Sequence, residues 1–207
     1  MIVKNLVVSI CATNCYIVYD EASMAGFIID PGDEASRIID AVEKLGVKPE
    51  AILITHGHFD HVGAAKEVAQ KYGIKIYANE AEREVLADAR YNLSGPFCGG
   101  AEVYEADVFL NDMQEIDIAG FHIIMYHTPG HTLGGCCYYI PREDVLFSGD
   151  TLFCQSVGRS DFPGGSMRTL VDSIKDKLMV LPMKTVVYPG HNESTTLEEE
   201  RMYNPFL

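Results

Sequence analysis

The stretch Ala51-Ile52-Leu53-Ile54-Thr55-His56-Gly57-His58-Phe59-Asp60-His61 runs an apolar segment straight into four potential metal ligands. A short, fully apolar run bounded by polar residues reads as a buried strand. Neutral imidazole is the commonest protein ligand for zinc and iron, and Asp adds a hard oxygen. The spacing differs from the i, i+4 pattern of a helical metal site. It fits a loop leaving the strand, with Gly57 allowing a turn and Asp60 and His61 near the start of the next helix. Four ligands exceed what one open catalytic metal needs. Two metals side by side are expected, with His56 and His58 on one and Asp60 and His61 on the other.

The same arrangement recurs along the chain. Phe27-Ile28-Ile29 ends in Asp30-Pro31-Gly32, and Ile123-Ile124-Met125-Tyr126 leads into His127-Thr128-Pro129-Gly130-His131. Val145-Leu146-Phe147 ends in Ser148-Gly149-Asp150, and Val186-Val187-Tyr188 in Pro189-Gly190-His191. Polar groups at strand ends are held rigidly and can converge on one edge of a sheet. His131, His191 and Asp150 are therefore candidates to complete the ligand set, Asp150 as a bridge because each carboxylate oxygen can take one cation.

Between these points, strands are expected at Ile2–Val8, Tyr16–Tyr19, Gly26–Ile29, Ala51–Ile54, His122–Tyr126, Cys136–Ile140, Val145–Phe147 and Thr185–Tyr188. Helices are expected at Asp33–Leu45, Val62–Tyr72, Glu80–Ala89 and Ser166–Leu181, the last stopped by Pro182. Tyr91–Val103, rich in Gly and small residues, reads as a loop or lid. The mixture argues an α/β fold with helices covering sheets. No linker is visible, so residues 1–207 are expected to form one domain.

The 207 residues suffice for an ordinary core, and 47% apolar with 22% charged residues excludes disorder. A net charge of −14, from 16 basic and 30 acidic side chains, opposes nucleic acid and anionic lipid as partners. No apolar run has the length of a membrane span, and Met1-Ile2-Val3-Lys4 lacks a signal-peptide layout. The expected address is the cytoplasm. There the six cysteines (Cys11, Cys15, Cys98, Cys136, Cys137, Cys154) are expected to be inert thiols. A single buried histidine is usually a hydrogen-bonded core residue, and His122 and His127 are read that way or as supports of the site. Three His and an Asp in six residues beside Gly do not resemble core.

Taken together, these motifs resemble the metallo-β-lactamase superfamily. His56-Gly57-His58-Phe59-Asp60-His61 matches its HxHxDH loop. Thr128-Pro129-Gly130-His131-Thr132, Gly149-Asp150 and Pro189-Gly190-His191 follow in the expected order, after Asn14-Cys15-Tyr16 and Asp30-Pro31-Gly32. The loop Gly158-Arg159-Ser160-Asp161-Phe162-Pro163-Gly164-Gly165 and the tail Glu200-Arg201-Met202-Tyr203-Asn204-Pro205-Phe206 are similar to short glyoxalase II-like (hydroxyacylglutathione hydrolase-like) enzymes. The resemblance implies a four-layer αββα sandwich with two divalent metals at one edge, zinc first and iron or manganese as alternatives. His56, His58 and His131 would hold one metal, Asp60, His61 and His191 the other, and Asp150 would bridge. Full-length glyoxalase II has an extra helical region with basic residues for glutathione. Here Arg201 is the one base after His191.

The chemistry expected of such a site is hydrolysis of a small-molecule thioester such as S-lactoylglutathione by a metal-bound hydroxide formed near pH ~7. Asp60 is expected to orient the hydroxide as a catalytic group. A leaving thiol of pKa near ~8.5 departs without a strong general acid. Arg159 is the candidate for holding a substrate carboxylate, with a surface ion pair as its alternative. A persulfide dioxygenase with one iron, a lactone or β-lactam hydrolase, and a non-catalytic metal-binding protein are the competing functions.

Overall fold

A computed structural model describes residues 1–207. One six-stranded sheet contains β1 (Ile2–Val8), β2 (Thr13–Tyr19), β3 (Ala25–Ile29), β4 (Lys48–Leu53), β5 (Lys75–Asn79) and β6 (Val108–Leu110), in that order. The second contains β7 (Glu115–Ile118), β8 (Phe121–His127), β9 (Cys136–Ile140) and β10 (Val145–Gly149). A small hairpin, β11 (Leu152–Phe153) with β12 (Ser156–Val157), precedes its last strands, β13 (Val186–Pro189) and β14 (Thr195–Thr196). The helices are α1 (Ala35–Leu45), α2 (Phe59–Val62), α3 (Ala65–Tyr72), α4 (Arg83–Ala87), α5 (Ser94–Cys98), α6 (Met167–Ser173) and α7 (Leu197–Tyr203).

The period-two alternation of the strands sorts their side chains into layers. Ile17, Ile28, Ile52 and Ile54 face outward and bury against Ile38 and Val42 of α1 and Val68 of α3. Tyr16, Val18, Phe27, Ile29 and Leu53 face the other way, against Ile123, Met125, Tyr138 and Phe147 of the second sheet. The far side of that sheet, Tyr139, Leu146 and Val187, packs on Leu170, Ile174 and Leu178 of α6 and the turns after it. Three apolar interfaces separate four layers, helix, sheet, sheet and helix, as expected of the αββα sandwich.

Several boundaries differ from the sequence expectations. The helix read over Val62–Tyr72 is two helices, α2 and α3. At the junction the Ala64 amide donates to the Pro31 carbonyl at 2.9 Å, drawing the backbone onto the Asp30-Pro31-Gly32 turn. Gly32 is required there, because a Cβ would collide with the Asp60 carbonyl. Glu80–Ala89 forms a 3₁₀ turn followed by α4. Ser166–Leu181 is α6 followed by a π turn over Ile174–Leu178. The presumed loop Tyr91–Val103 contains α5, and α7 stands in the tail.

Strand direction places the site. β3, β4, β5 and β6 run parallel to one another, and so do β10 and β13. Asp30 and His56 follow the carboxyl ends of β3 and β4, and Asp150 and His191 those of β10 and β13. The carboxyl edge of parallel strands is where α/β sheets present their ligand groups. Across the seam, the Asn14 amide donates to the Gly190 carbonyl at 2.7 Å and the Tyr16 hydroxyl to the Pro189 carbonyl at 2.7 Å. These ties register one sheet against the other. No helix is long and apolar enough to cross a membrane.

Candidate metal centre

The seven sequence-predicted ligands meet at this seam. His56, His58 and His131 form one triad and Asp60, His61 and His191 another, the ligand atoms of each lying within 4.8 Å of one another. In the first, His58 Nδ1 is 3.1 Å from His56 Nε2 and 3.0 Å from His131 Nε2. In the second, His61 Nε2 is 3.3 Å from His191 Nε2 and 3.6 Å from Asp60 Oδ2. Asp150 stands between them. Its Oδ2 is 3.5 Å from His131 Nε2 and 3.6 Å from His191 Nε2, and its Oδ1 is 3.5 Å from His61 Nε2. Gly190 closes the floor, because a Cβ there would collide with Asp150 Oδ1.

Each imidazole that presents Nε2 to the centre has its other nitrogen engaged. His61 Nδ1 is 2.9 Å from Asp30 Oδ2, His131 Nδ1 is 2.7 Å from the Arg159 carbonyl, and His56 Nδ1 is 3.2 Å from Thr55 Oγ1. His191 Nδ1 is 3.3 Å from the Ala12 carbonyl. Such outer contacts fix ring orientation and tautomer. Asp30 is itself fixed: the Thr55 amide donates to its Oδ1 at 2.8 Å and the Thr55 hydroxyl to its Oδ2 at 2.6 Å. Its backbone is left-handed, with φ +49°, a conformation Asp tolerates better than most residues.

Electrostatics divide the two triads. Burial, reinforced by neighbouring imidazoles, pushes His56 and His58 well below the ordinary histidine range. Burial also acts to lower His61, but Asp60, Asp150 and Asp30 outweigh it and push this group up to about 10. For Asp60, burial would raise the carboxyl, but His61, His191 and Thr13 hold it below the usual carboxylate range. His191 is raised as well, burial being overcome by Asp60 and Asp150. The first triad is thus a set of neutral nitrogen donors, whereas the second sets an ionised carboxylate against imidazoles held towards their protonated form.

These residues fit divalent cations. The nitrogen separations of 3.0–3.1 Å in the first triad approach the edge of a tetrahedron, about 3.3 Å for metal–nitrogen bonds of ~2.05 Å. Asp150 Oδ1 is buried with no hydrogen-bond partner, an unmet need for an anionic oxygen. Three carboxylates converge on His61. Nitrogen and carboxylate donors of this kind accept zinc, iron or manganese.

The remaining candidates lie further out. The Arg159 guanidinium makes two hydrogen bonds to Asp161, at 2.8 and 2.7 Å, and stacks 3.9 Å above the Phe162 ring. His122 pairs with Asp117 and Glu115 on the surface, and His127 Nε2 lies 3.0 Å from the Leu133 carbonyl. All six cysteines are free, with Cys15, Cys136 and Cys137 buried and Cys11 and Cys98 exposed.

Three supporting residues were not assigned a role from sequence. Asp30 stands at a strand end in the sequence, and its contact with His61 is made only by the fold. Thr13 donates its hydroxyl to Asp60 Oδ2 at 2.8 Å. Glu82 is fully buried and accepts from the Gly57 amide at 2.8 Å and the Gly134 amide at 2.6 Å, tying the His56–His61 loop to the loop that carries His131. Burial, outweighing those bonds, raises its carboxyl to about 7.

Comparison with known proteins places this geometry in a wider group. The model of the metallo-beta-lactamase superfamily matches residues 8–191. Hydroxyacylglutathione hydrolase GloC of Haemophilus influenzae is 36% identical, over 94% of this chain and 92% of its own. Among solved structures, BLEG-1 B3 metallo-beta-lactamase is 38% identical with a TM-score of 0.94, covering 100% of this chain and 99% of that one. TTHA1623, solved in a di-iron-bound form, is 33% identical with a TM-score of 0.86, covering 99% of this chain and 100% of that one. With matches of this extent carrying the same fold, the chain belongs to the metallo-beta-lactamase superfamily.

Proposed function

We propose that this protein is a two-metal thioester hydrolase of the glyoxalase II type, cleaving an S-acyl thiol such as S-lactoylglutathione. The observation that carries the two-metal reading is the Asp150 carboxylate, placed within 3.5–3.6 Å of His131, His61 and His191 and so between both triads. Asp60, His61 and His191 are assembled within reach of one another as a second ligand group beside His56, His58 and His131, which supports a second cation. The likeness to GloC supports the thioester as substrate.

His56, His58 and His131 would hold one cation, Asp60, His61 and His191 the other, and Asp150 both, with zinc the metal proposed. Metal cations so placed supply a nucleophilic water at neutral pH and polarise the substrate carbonyl. The protein's own groups orient the reactants. Asp60, kept ionised by His61 and His191 and fixed by Thr13, accepts a hydrogen from the attacking water. Arg159 meets a substrate carboxylate by exchanging it for Asp161.

β-Lactam hydrolysis is the second reading, favoured by the likeness to BLEG-1. Elemental analysis combined with a substrate panel separates the possibilities. The panel comprises S-lactoylglutathione, other acyl thioesters, a lactone, a β-lactam and a persulfide. Close to two metals per chain with thioester turnover is expected. One iron with oxygen consumption on the persulfide, or turnover of the β-lactam alone, would overturn the proposal.

A further inference from the structure

An aromatic wall begins at the metal centre. The Phe162 ring meets His58 edge-on at 5.8 Å between centroids, Phe97 meets Phe162 edge-on at 6.1 Å, and Phe59 stacks on Phe97 at 6.2 Å. Two of these rings are half-buried, but Phe97 is 61% exposed on the short helix α5. A large aromatic ring left in water beside a reactive centre marks surface that a ligand can cover. Nothing in the metal chemistry calls for these three rings.

Charge narrows what that ligand is. The one cation on the wall is Arg159, stacked on Phe162 and held by Asp161 in a two-bond pair that a substrate carboxylate can replace but an uncharged acyl group cannot. The whole chain carries −14. A group seated here meets ring faces and edges and no unpaired positive charge. The position matters too, because the wall starts on a histidine of the first triad. A substituent attached directly to the reacting carbonyl would reach Phe162 and Phe97 first, whereas the recognition groups of a carrier thiol begin beyond the sulfur.

We propose that the Phe162–Phe97 wall is the acyl subsite, and that the substrates of this enzyme are thioesters with an uncharged apolar acyl group, aryl or alkyl, in preference to a small polar one such as lactoyl. The inference rests on the thioesterase reading and names its substrate class. Burial of a phenyl or short alkyl group against such rings favours the larger acyl group by about tenfold or more.

The test holds the carrier constant and varies the acyl group. Acetyl, lactoyl, hexanoyl and phenylacetyl thioesters of N-acetylcysteamine, an uncharged carrier, are assayed with the metal-loaded protein. The expected kcat/KM rises from acetyl to hexanoyl and phenylacetyl by about tenfold or more. Phe97→Ala, a change at an exposed position, should cut the phenylacetyl-to-acetyl ratio about tenfold, through KM. Equal kcat/KM across the series, a preference for lactoyl, or a ratio unmoved by Phe97→Ala overturns the subsite. Absence of turnover for every thioester sinks the thioesterase reading instead, and calorimetry then decides the wall without turnover. Phenylacetate should bind about tenfold tighter than acetate, and Phe97→Ala should erase the difference. Equal binding of the two acids overturns the subsite as well.

Discussion

Asp30 Oδ2 lies 2.9 Å from His61 Nδ1, both groups buried, so a carboxylate from the end of β3 sets the direction of an imidazole on α2. Neutral Asn in its place keeps one acceptor but loses the charge that holds the Nδ1 proton. Asp30→Asn should weaken metal at the second triad about 10–100-fold while leaving the first triad loaded. Titration against a competing chelator, with metal counted per chain, reads both sites. Equal loss from both triads would contradict the arrangement.

Asp150 is the group shared by the two triads. Asp150→Ala should therefore lower metal content at both and reduce hydrolysis by on the order of a thousandfold or more. The fold should survive, since its three apolar interfaces do not include the Asp150 side chain. Circular dichroism of the variant checks that. Full activity in Asp150→Ala would end the two-metal scheme.

Glu82 tests the support between loops. Glu82→Gln puts an amide NH2 against one of the two backbone N–H groups of Gly57 and Gly134, leaving that donor without an acceptor. A loss of about 1–3 kcal/mol is expected in denaturant unfolding of the metal-free chain. Weaker metal binding at the first triad should accompany it, because His56, His58 and His131 sit on the two loops joined. A cobalt(II) spectrum altered at the first site but not the second would report the displacement.

The two triads should also respond differently to pH. With His61 pushed up to about 10 in the metal-free chain, loading of the second triad at pH 7 must expel a proton, and its affinity should climb about tenfold per pH unit towards pH 10. His56 and His58 are already neutral, so the first triad should show little dependence from pH 7 to 9. Calorimetry in buffers of different ionisation enthalpy counts the protons. Stability follows the same logic. The folded pKa of His61 lies above its unfolded value of ~6.5, so its contribution is complete below pH ~6.5 and is lost as pH rises to about 10. Urea midpoints of the metal-free protein should fall across that window.

Much of the site was legible because its ligands are local. His56, His58, Asp60 and His61 fall within one turn after a strand, and His131, Asp150 and His191 each follow an apolar run. The mixture of strands and helices, with Ile38 and Val42 on one helical face, pointed to helices covering sheets, and the four layers followed from the resemblance to the superfamily. Contacts made only by folding were not. Asp30 and His61 are 31 residues apart, and Glu82 reaches Gly57 across 25 residues and Gly134 across 52. The break between α2 and α3 was hidden for the same reason: its cause is the Pro31 carbonyl, distant in sequence. The partners of Phe97 lie in two other loops, so a lone aromatic in a Gly-rich stretch gave no sign of the wall.

The seam between the sheets has one more consequence. Contacts within the first triad join residues 73 apart, and those within the second join residues 130 apart. Each cation would act on the unfolded chain as a long-range cross-link does, removing the entropy of a large loop, about 4–5 kcal/mol by the disulfide relation. It would also lock the first sheet to the second. Chelation should therefore do more than disable a reaction. It should let the two halves of the sandwich breathe apart, with faster amide exchange at Tyr16 and Tyr138, deep in the layer between them.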